Sequence, residues 1–296
     1  MNEDELKYYE KAGEISHKAK MEGKRLVKPG ASALEVAEKL EKMIFDLGAK
    51  PAFPVNLSVN EEAAHYTPGV GDERVFTESD VVKIDVGAHV NGFIGDTALT
   101  VDLSGENSEL VAASADGLEA ALSVVRAGAD LKDVGSAVEK AIKAHGFKPI
   151  ENLTGHSLKK FRLHAGLSIP SISVPYSKKL SEGDVIAIEP FASAGSGKVN
   201  DGPVAEIFSL ISKKPVRMRE ARRIRDFVLR EYNMLPFAER WIAKQARSKL
   251  MLDSAMKELV LSGCFRQYPV LRDSGLVSQK EVTVLIEKDS CRILTK

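Results

Sequence analysis

The sequence predicts an α+β fold: two pseudo-symmetric halves, helices packed on one face of an antiparallel sheet, and a helical insertion in the second half. Three observations carry this prediction. The chain repeats itself, one stretch reads as a long β-hairpin, and the texture changes between Leu210 and Gly263.

The repeat is clearest where Glu78-Ser79-Asp80-Val81-Val82-Lys83-Ile84-Asp85 matches Glu182-Gly183-Asp184-Val185-Ile186-Ala187-Ile188-Glu189. Each copy is a turn, an apolar strand and then a carboxylate. The segments before them also agree. Gly30-Ala31-Ser32, a helix through Leu34, Val36, Leu40 and Ile44, then Gly48 and Pro51 form the first copy. Gly128-Ala129-Asp130, a helix through Val134, Val138 and Ile142, then Gly146 and Pro149 form the second. The period is too long for a solenoid. It predicts two halves related by a pseudo-twofold, with Asp85 and Glu189 at equivalent positions facing a shared cleft.

The hairpin is Ile84 to Leu99. Val81 to Val86 and Phe93 to Val101 are apolar, β-branched runs, and Asn91-Gly92 between them is a strong two-residue turn signal. That turn sets Asp85 opposite Ala98. Asp96, two residues before Ala98, then points to the same face as Asp85. The two carboxylates are diagonal neighbours, roughly 7–8 Å apart at the backbone. They repel unless protonated or neutralised, and a divalent cation neutralises both.

The other elements follow in order. A helix runs from about Glu5 to Val27 and stops at Lys28-Pro29-Gly30. Ala52 to Pro68 reads as strand and loop, because Phe53-Pro54 and Tyr66-Thr67-Pro68-Gly69 break helices. Leu110 to Arg126 is an Ala-rich helix, and Asn152 to Pro170 reads as short strands with two histidines. Arg217 to Tyr232 and Asp253 to Leu261 are helical patterns separated by Leu235-Pro236-Phe237. Nothing in the first half corresponds to them, so residues 211–263 read as an insertion within a single domain spanning 1–296. Tyr268-Pro269-Val270 re-enters the main body, and Val282 to Ile286 is a final core strand beginning at Glu281.

Composition narrows the function classes. The 296 residues allow one large or two small domains. Lys+Arg and Asp+Glu are both 42, so the whole-chain charge argues for neither nucleic acid nor membrane. The acidic start Met1-Asn2-Glu3-Asp4-Glu5 does not resemble a signal peptide, and no apolar run is long enough to span a bilayer. Cys264 and Cys291, the only cysteines, fit reduced thiols in a cytoplasmic protein better than a disulfide scaffold. Asn56-Leu57-Ser58 and Asn152-Leu153-Thr154 match the glycosylation pattern, which means little without secretion. No membrane partner is expected, and a monomer is. Locally, Lys213 to Lys249 holds twelve Lys or Arg against four Asp or Glu. A solvated helical face is the plain reading, and a basic surface docking on ribosomal RNA is the sharper one.

Five residues stand out as metal ligands: Asp85, Asp96, His156, Glu189 and Glu281. Singly, each has a bland reading as a turn, strand-end or loop residue. Together, four carboxylates and one imidazole carry too many oxygens for a structural zinc site. They suit a two-metal centre with bridging carboxylates, which lowers the pKa of a bound water toward neutrality. The donor set suits manganese, iron or cobalt, and also accommodates zinc.

His65, Asp85, Asp96, Gly155-His156-Ser157, His164-Ala165-Gly166, Glu189-Pro190-Phe191 and Gln279-Lys280-Glu281 together resemble the methionine aminopeptidases in order and local spacing. The resemblance covers essentially the whole chain. The helical insertion before Tyr268 resembles the type II subclass of archaea and eukaryotes, and the short N-terminus looks like the archaeal form. The resemblance implies the pita-bread fold and two divalent ions (cobalt, manganese, iron or zinc). It also implies removal of N-terminal methionine from nascent polypeptides whose second residue is small. Asp85 would then chelate one metal, His156 and Glu189 the other, and Asp96 and Glu281 both. His65 would reach the scissile nitrogen and His164 the carbonyl oxygen, with Glu189 as proton shuttle. Phe53, Leu163, Phe191 and Tyr268 resemble the walls of the methionine pocket, although aromatics are also ordinary core residues. Lys280 and Val282 flank Glu281 where the family usually has Phe and His. Two alternatives remain on the same scaffold: a proline-specific aminopeptidase or dipeptidase, usually with an extra N-terminal domain, and a non-catalytic binding protein, which loses ligands.

Overall fold

A computed structural model describes Met1–Lys296. The first helix is Glu3–Leu26, begun by a capping box in which the Asn2 side chain accepts from the Glu5 amide and Glu5 accepts from the Asn2 amide. The box draws the start two residues ahead of the expected Glu5. The helix lies against the hairpin, Val81–Val90 with Phe93–Asp102. Contact is close because Ser16 turns its hydroxyl into the sheet, donating to the Gly95 carbonyl and accepting from the Ala88 amide.

The two halves share one register. Pro51 lies opposite Ala88, and Pro149 opposite Ala192. Val59 pairs with Val82, and Ser157 with Ile186. Ile84 pairs with Leu99, and Ile188 with Val282. Every pair lands on matching positions of the repeat. Helices Ala33–Asp46 and Leu131–Ala144 begin at Ser32 and Asp130, whose side chains accept from the first-turn amides. Each half has its own core, 19 buried residues around Leu40, Leu57 and Ile84 and 17 around Leu118, Ile142 and Ile186.

The halves differ in one core strand. The Val81–Val90 strand is continuous, whereas its counterpart is broken into Val185–Ile188 and Phe191–Ser193. Pro190 lacks the amide that would continue the ladder. Between the halves, Ala98 and Glu281 form an isolated antiparallel bridge; they are themselves equivalent positions and so mark the pseudo-twofold.

From Ile207 onward a third cluster of 14 buried residues forms. Its helices are Arg219–Glu231 and Lys249–Leu261, shifted from the expected spans by one local and one distant cap: Ser248 accepts from Met251, and the Glu258 carboxylate takes the Arg217 and Met218 amides. The expected break at Leu235-Pro236-Phe237 leads into a short strand, Phe237–Ala238, paired with Ile207–Leu210. No helix is long and apolar enough to cross a membrane. Both cysteines are free.

The third cluster is locked to the first half by Arg240. Its guanidinium pairs with Glu41 and donates to Thr67 Oγ1 and the Pro68 carbonyl, both at 2.9 Å, while Trp241 donates to the other Glu41 oxygen. The Arg240 and Glu41 side chains are only 6% and 8% exposed. Removing one partner strands a buried charge. Arg240→Met should therefore cost about 3–5 kcal/mol in urea unfolding, and Glu41→Gln added to Arg240→Met should recover part of that loss.

Candidate metal centre and active site

The pleat and the pseudo-twofold bring the carboxylates together. Asp85 lies opposite Ala98 and Asp96 opposite Gly87, as the turn residues required. The Ala98–Glu281 bridge then brings Glu281 beside this pair. His156 sits opposite Ala187, and Glu189 follows the Val185–Ile188 strand where Pro190 interrupts it. His156 Nε2 stands 3.6 Å from Asp96 Oδ2 and 3.5 Å from Glu189 Oε1. Ligand atoms of Asp96, His156 and Glu281 all lie within 4.8 Å of one another.

Two threonines hold the backbone under these groups. Thr283 Oγ1 accepts from the Asp96 amide and donates to the Asp96 carbonyl, both at 2.8 Å. At the equivalent place, Thr100 Oγ1 accepts from the Gln279 amide at 2.8 Å and donates to the Gln279 carbonyl at 2.9 Å. Thr100 and Thr283 are repeat mates, as are Asp96 and Gln279. Lys20, buried behind them, donates to Thr97 Oγ1, which donates in turn to the Glu281 carbonyl.

All eleven side chains singled out from sequence line one cavity of about 330 Å³. Its walls add Asn56, Ala64, Asn152, Leu153, Thr154, Ile207, Pro236 and Arg266. Phe53 can lie over the hairpin only because residue 87 is glycine: a Cβ there would meet the ring at 2.2 Å. Gly155 plays a similar part beside His156, since a Cβ would strike the Ala187 carbonyl at 2.3 Å. His65 has a left-handed backbone, φ 69°, a conformation that costs a non-glycine residue about 1–3 kcal/mol and is common at functional sites.

Gln279 was not singled out as a site residue, yet its amide nitrogen lies 3.4 Å from Glu189 and 3.5 Å from Glu281. Carrying the repeat across the insertion would have found it as the counterpart of Asp96. Asn56 was also missed. It lies opposite Asp85 in the ladder, and only the register shows that.

Burial pushes the Asp85 carboxyl up to about 7. Burial first, and then the neighbouring carboxylates, push Asp96, Glu189 and Glu281 well above the usual range. Burial and the His164 ring hold His156 well below an ordinary histidine. His164 drops to about 4, through its surroundings and then the nearby His65 and Arg266. His65 is likewise lowered by burial. Buried oxygens Asp85 Oδ1 and Asp96 Oδ1 have no hydrogen-bond partner. Orphaned oxygens, four carboxylates and one neutral imidazole fit divalent cations. No lysine lines the cavity, and its one arginine, Arg266, is solvent-exposed.

The sign of the Asp85 shift gives a prediction. An unfolded aspartate ionises near 3.9, so raising the folded pKa to about 7 makes ionisation cost the folded state stability between those values. In chelator-treated protein, Asp85→Asn should raise the melting temperature at pH 8 and raise it much less at pH 5. Added divalent metal should reverse the order at pH 8 by stabilising the parent chain more.

The chain matches the family described as metallopeptidase family M24 over residues 7–229. It is 49% identical to a methionine aminopeptidase of Pyrococcus abyssi over 96% of this chain and 97% of that protein. It is 48% identical to one from Thermococcus onnurineus over 99% of this chain and all of that protein. Among solved structures, a thermophilic Arx1 superposes with a TM-score of 0.87 at 22% identity, covering 99% of this chain and 91% of that one. A methionine aminopeptidase from Thermotoga maritima gives 0.72 at 24% identity, covering 100% and 98%. A prolidase from Pyrococcus furiosus gives 0.64 at 20%, with 100% of this chain matched to only 64% of that one. These structures share the pita-bread fold. The chain therefore belongs to metallopeptidase family M24 and, within it, to the methionine aminopeptidases.

Proposed function

We propose that this chain removes the N-terminal methionine from nascent polypeptides whose second residue is small, with divalent metal held by Asp85, Asp96, His156, Glu189 and Glu281. The observation that carries the reading is the convergence of these ligands, two histidines and an apolar wall on one cavity. Asp85 would serve one metal and His156 and Glu189 the other, with the Asp96 and Glu281 carboxylates available to both. Bound there, the metals supply Lewis acidity and lower the pKa of a water. The whole of 1–296 forms one catalytic domain, 211–263 its insertion, and the activity is cytoplasmic.

The chain's own groups do the rest. Phe53, Leu163, Phe191 and Tyr268 enclose the methionine side chain. His65 Nδ1 lies 3.1 Å from the Pro269 carbonyl, which can only accept. The neutral ring therefore carries its proton on Nδ1 and leaves Nε2 as an acceptor for the scissile amide N–H. His164, also neutral, donates to the substrate carbonyl as negative charge develops on it. Glu189, with its side chain 14% exposed, carries the proton from water to the leaving nitrogen.

Release of free methionine from a Met-Ala-Ser peptide, with and without added divalent metal, tests the reading. Chelation should abolish release. Norleucine should replace methionine well, since one methylene in such a pocket is worth only about 1–3 kcal/mol. Efficient cleavage of Xaa-Pro peptides lacking methionine would favour the proline-specific alternative. His65→Ala should lower kcat and kcat/KM together by on the order of 10²–10⁴-fold at unchanged metal content. Parallel loss of metal would make His65 a ligand.

Ribosome docking is a finer part of the same reading. Of the twelve cations between Lys213 and Lys249, Arg223, Arg225, Arg230, Arg240 and Lys249 are taken up by carboxylates. Lys213, Lys214, Arg217, Arg219, Lys244 and Arg247 are exposed and carry the proposal. Co-sedimentation with ribosomes should weaken steeply with salt; its absence would leave only a solvated face.

A further inference from the structure

An exopeptidase cavity is closed at one end, so everything beyond the first substrate residue must leave through the mouth. The closed end is made of buried side chains such as Phe53 and Phe191, 4% and 1% exposed. His164 and Arg266 are exposed at the other end. A second groove of about 210 Å³ begins there, sharing Leu163, His164, Pro236, Arg266 and Tyr268 with the cavity.

The groove carries positive charge and no acid. Arg162 forms one wall and Arg266 the other, both exposed and without an ion-pair partner, and no Asp or Glu lines it. Two exposed apolar side chains, Ile211 at 45% and Met234 at 41%, also line it.

Both arginines stand on fixed backbone. Lys159 and Arg162 exchange amide-to-carbonyl bonds of 3.0 and 2.8 Å across a tight turn. Phe161, at φ 57°, donates its amide to Gly92 at the hairpin tip. Arg266 lies in the Phe265–Tyr268 strand, opposite Ser209. With the backbone fixed in this way, only the arginine side chains remain to be ordered by a passing chain.

We propose that this groove is a subsite for the substrate beyond its second residue, and that Arg162 and Arg266 make it select acidic side chains there. The inference rests on the aminopeptidase reading above. It concerns specificity and leaves the chemistry at the metal centre unchanged. Attraction at such exposed sites acts on binding, so it is expressed in KM more than in kcat.

The test uses the whole chain with its metal and C-terminally amidated peptides, so that no terminal carboxylate competes. Met-Ala-Ser-Ser-Ser-amide is the neutral reference; the companions carry Asp or Lys at the third and fourth residues. The Asp peptide should exceed the Lys peptide in kcat/KM by about three- to tenfold at low salt, the range expected of exposed charge pairs. The ratio should shrink as salt rises. Arg162→Glu should lower the Asp-to-Lys ratio, and adding Arg266→Glu should invert it, each ratio being taken within one variant. Equal kcat/KM for the Asp and Lys peptides, or an acidic preference that survives both substitutions, overturns the subsite while methionine release from the neutral peptide upholds the aminopeptidase. Failure to release methionine from any of the peptides overturns both.

Discussion

Four carboxylates share one buried cavity, and the protein supplies no lysine to line it. That uncompensated charge is the constraint on which the rest of the structure depends. A chain free to relax would rotate the acids apart or draw in a basic side chain. Here each acid is held through its backbone. The Ala98–Glu281 bridge joins the halves, Thr283 ties both backbone groups of Asp96, and Thr100 does the same for Gln279. Lys20 approaches from behind but donates to Thr97 and leaves the carboxylates to the cavity. The scaffold therefore fixes these residues through their backbone, the preorganisation that a metal site would require.

The repeat explains both the geometry and its asymmetry. Equivalent registers put Asp85 and the Glu189 position at matching places, and Ala98 meets Glu281 on the pseudo-twofold. Chemistry then diverges at matched positions: Asp96 of one half corresponds to Gln279 of the other, and Ala98 corresponds to Glu281. Pro190 ends one strand where the other continues, leaving Glu189 at a strand end. The result is a lopsided donor set on a symmetric frame.

The hairpin register was legible because Asn91-Gly92 takes positive φ at both residues, 53° and 89°, the requirement of the tight turn that its sequence signals. The repeat was legible because matching landmarks recur in order. What could not be read depended on distant partners. Gln279 lies beyond an insertion that interrupts the repeat. Asn56 is a site residue only through its register with Asp85. The left-handed His65 leaves no local signature. The basic count between Lys213 and Lys249 overstated the free charge, since Arg240 is buried against Glu41. The insertion's helix ends were displaced because Glu258, distant in sequence, caps Arg217 and Met218.

The most direct test of the carboxylate cluster as a single metal centre is calorimetric titration of the metal-free chain with manganese or cobalt. A shared centre should saturate at two ions per chain, with proton release because the buried acids must ionise to bind. Glu281→Gln should weaken both binding events, since this side chain is shared. Absent binding, or an unchanged isotherm for Glu281→Gln, would contradict a shared centre.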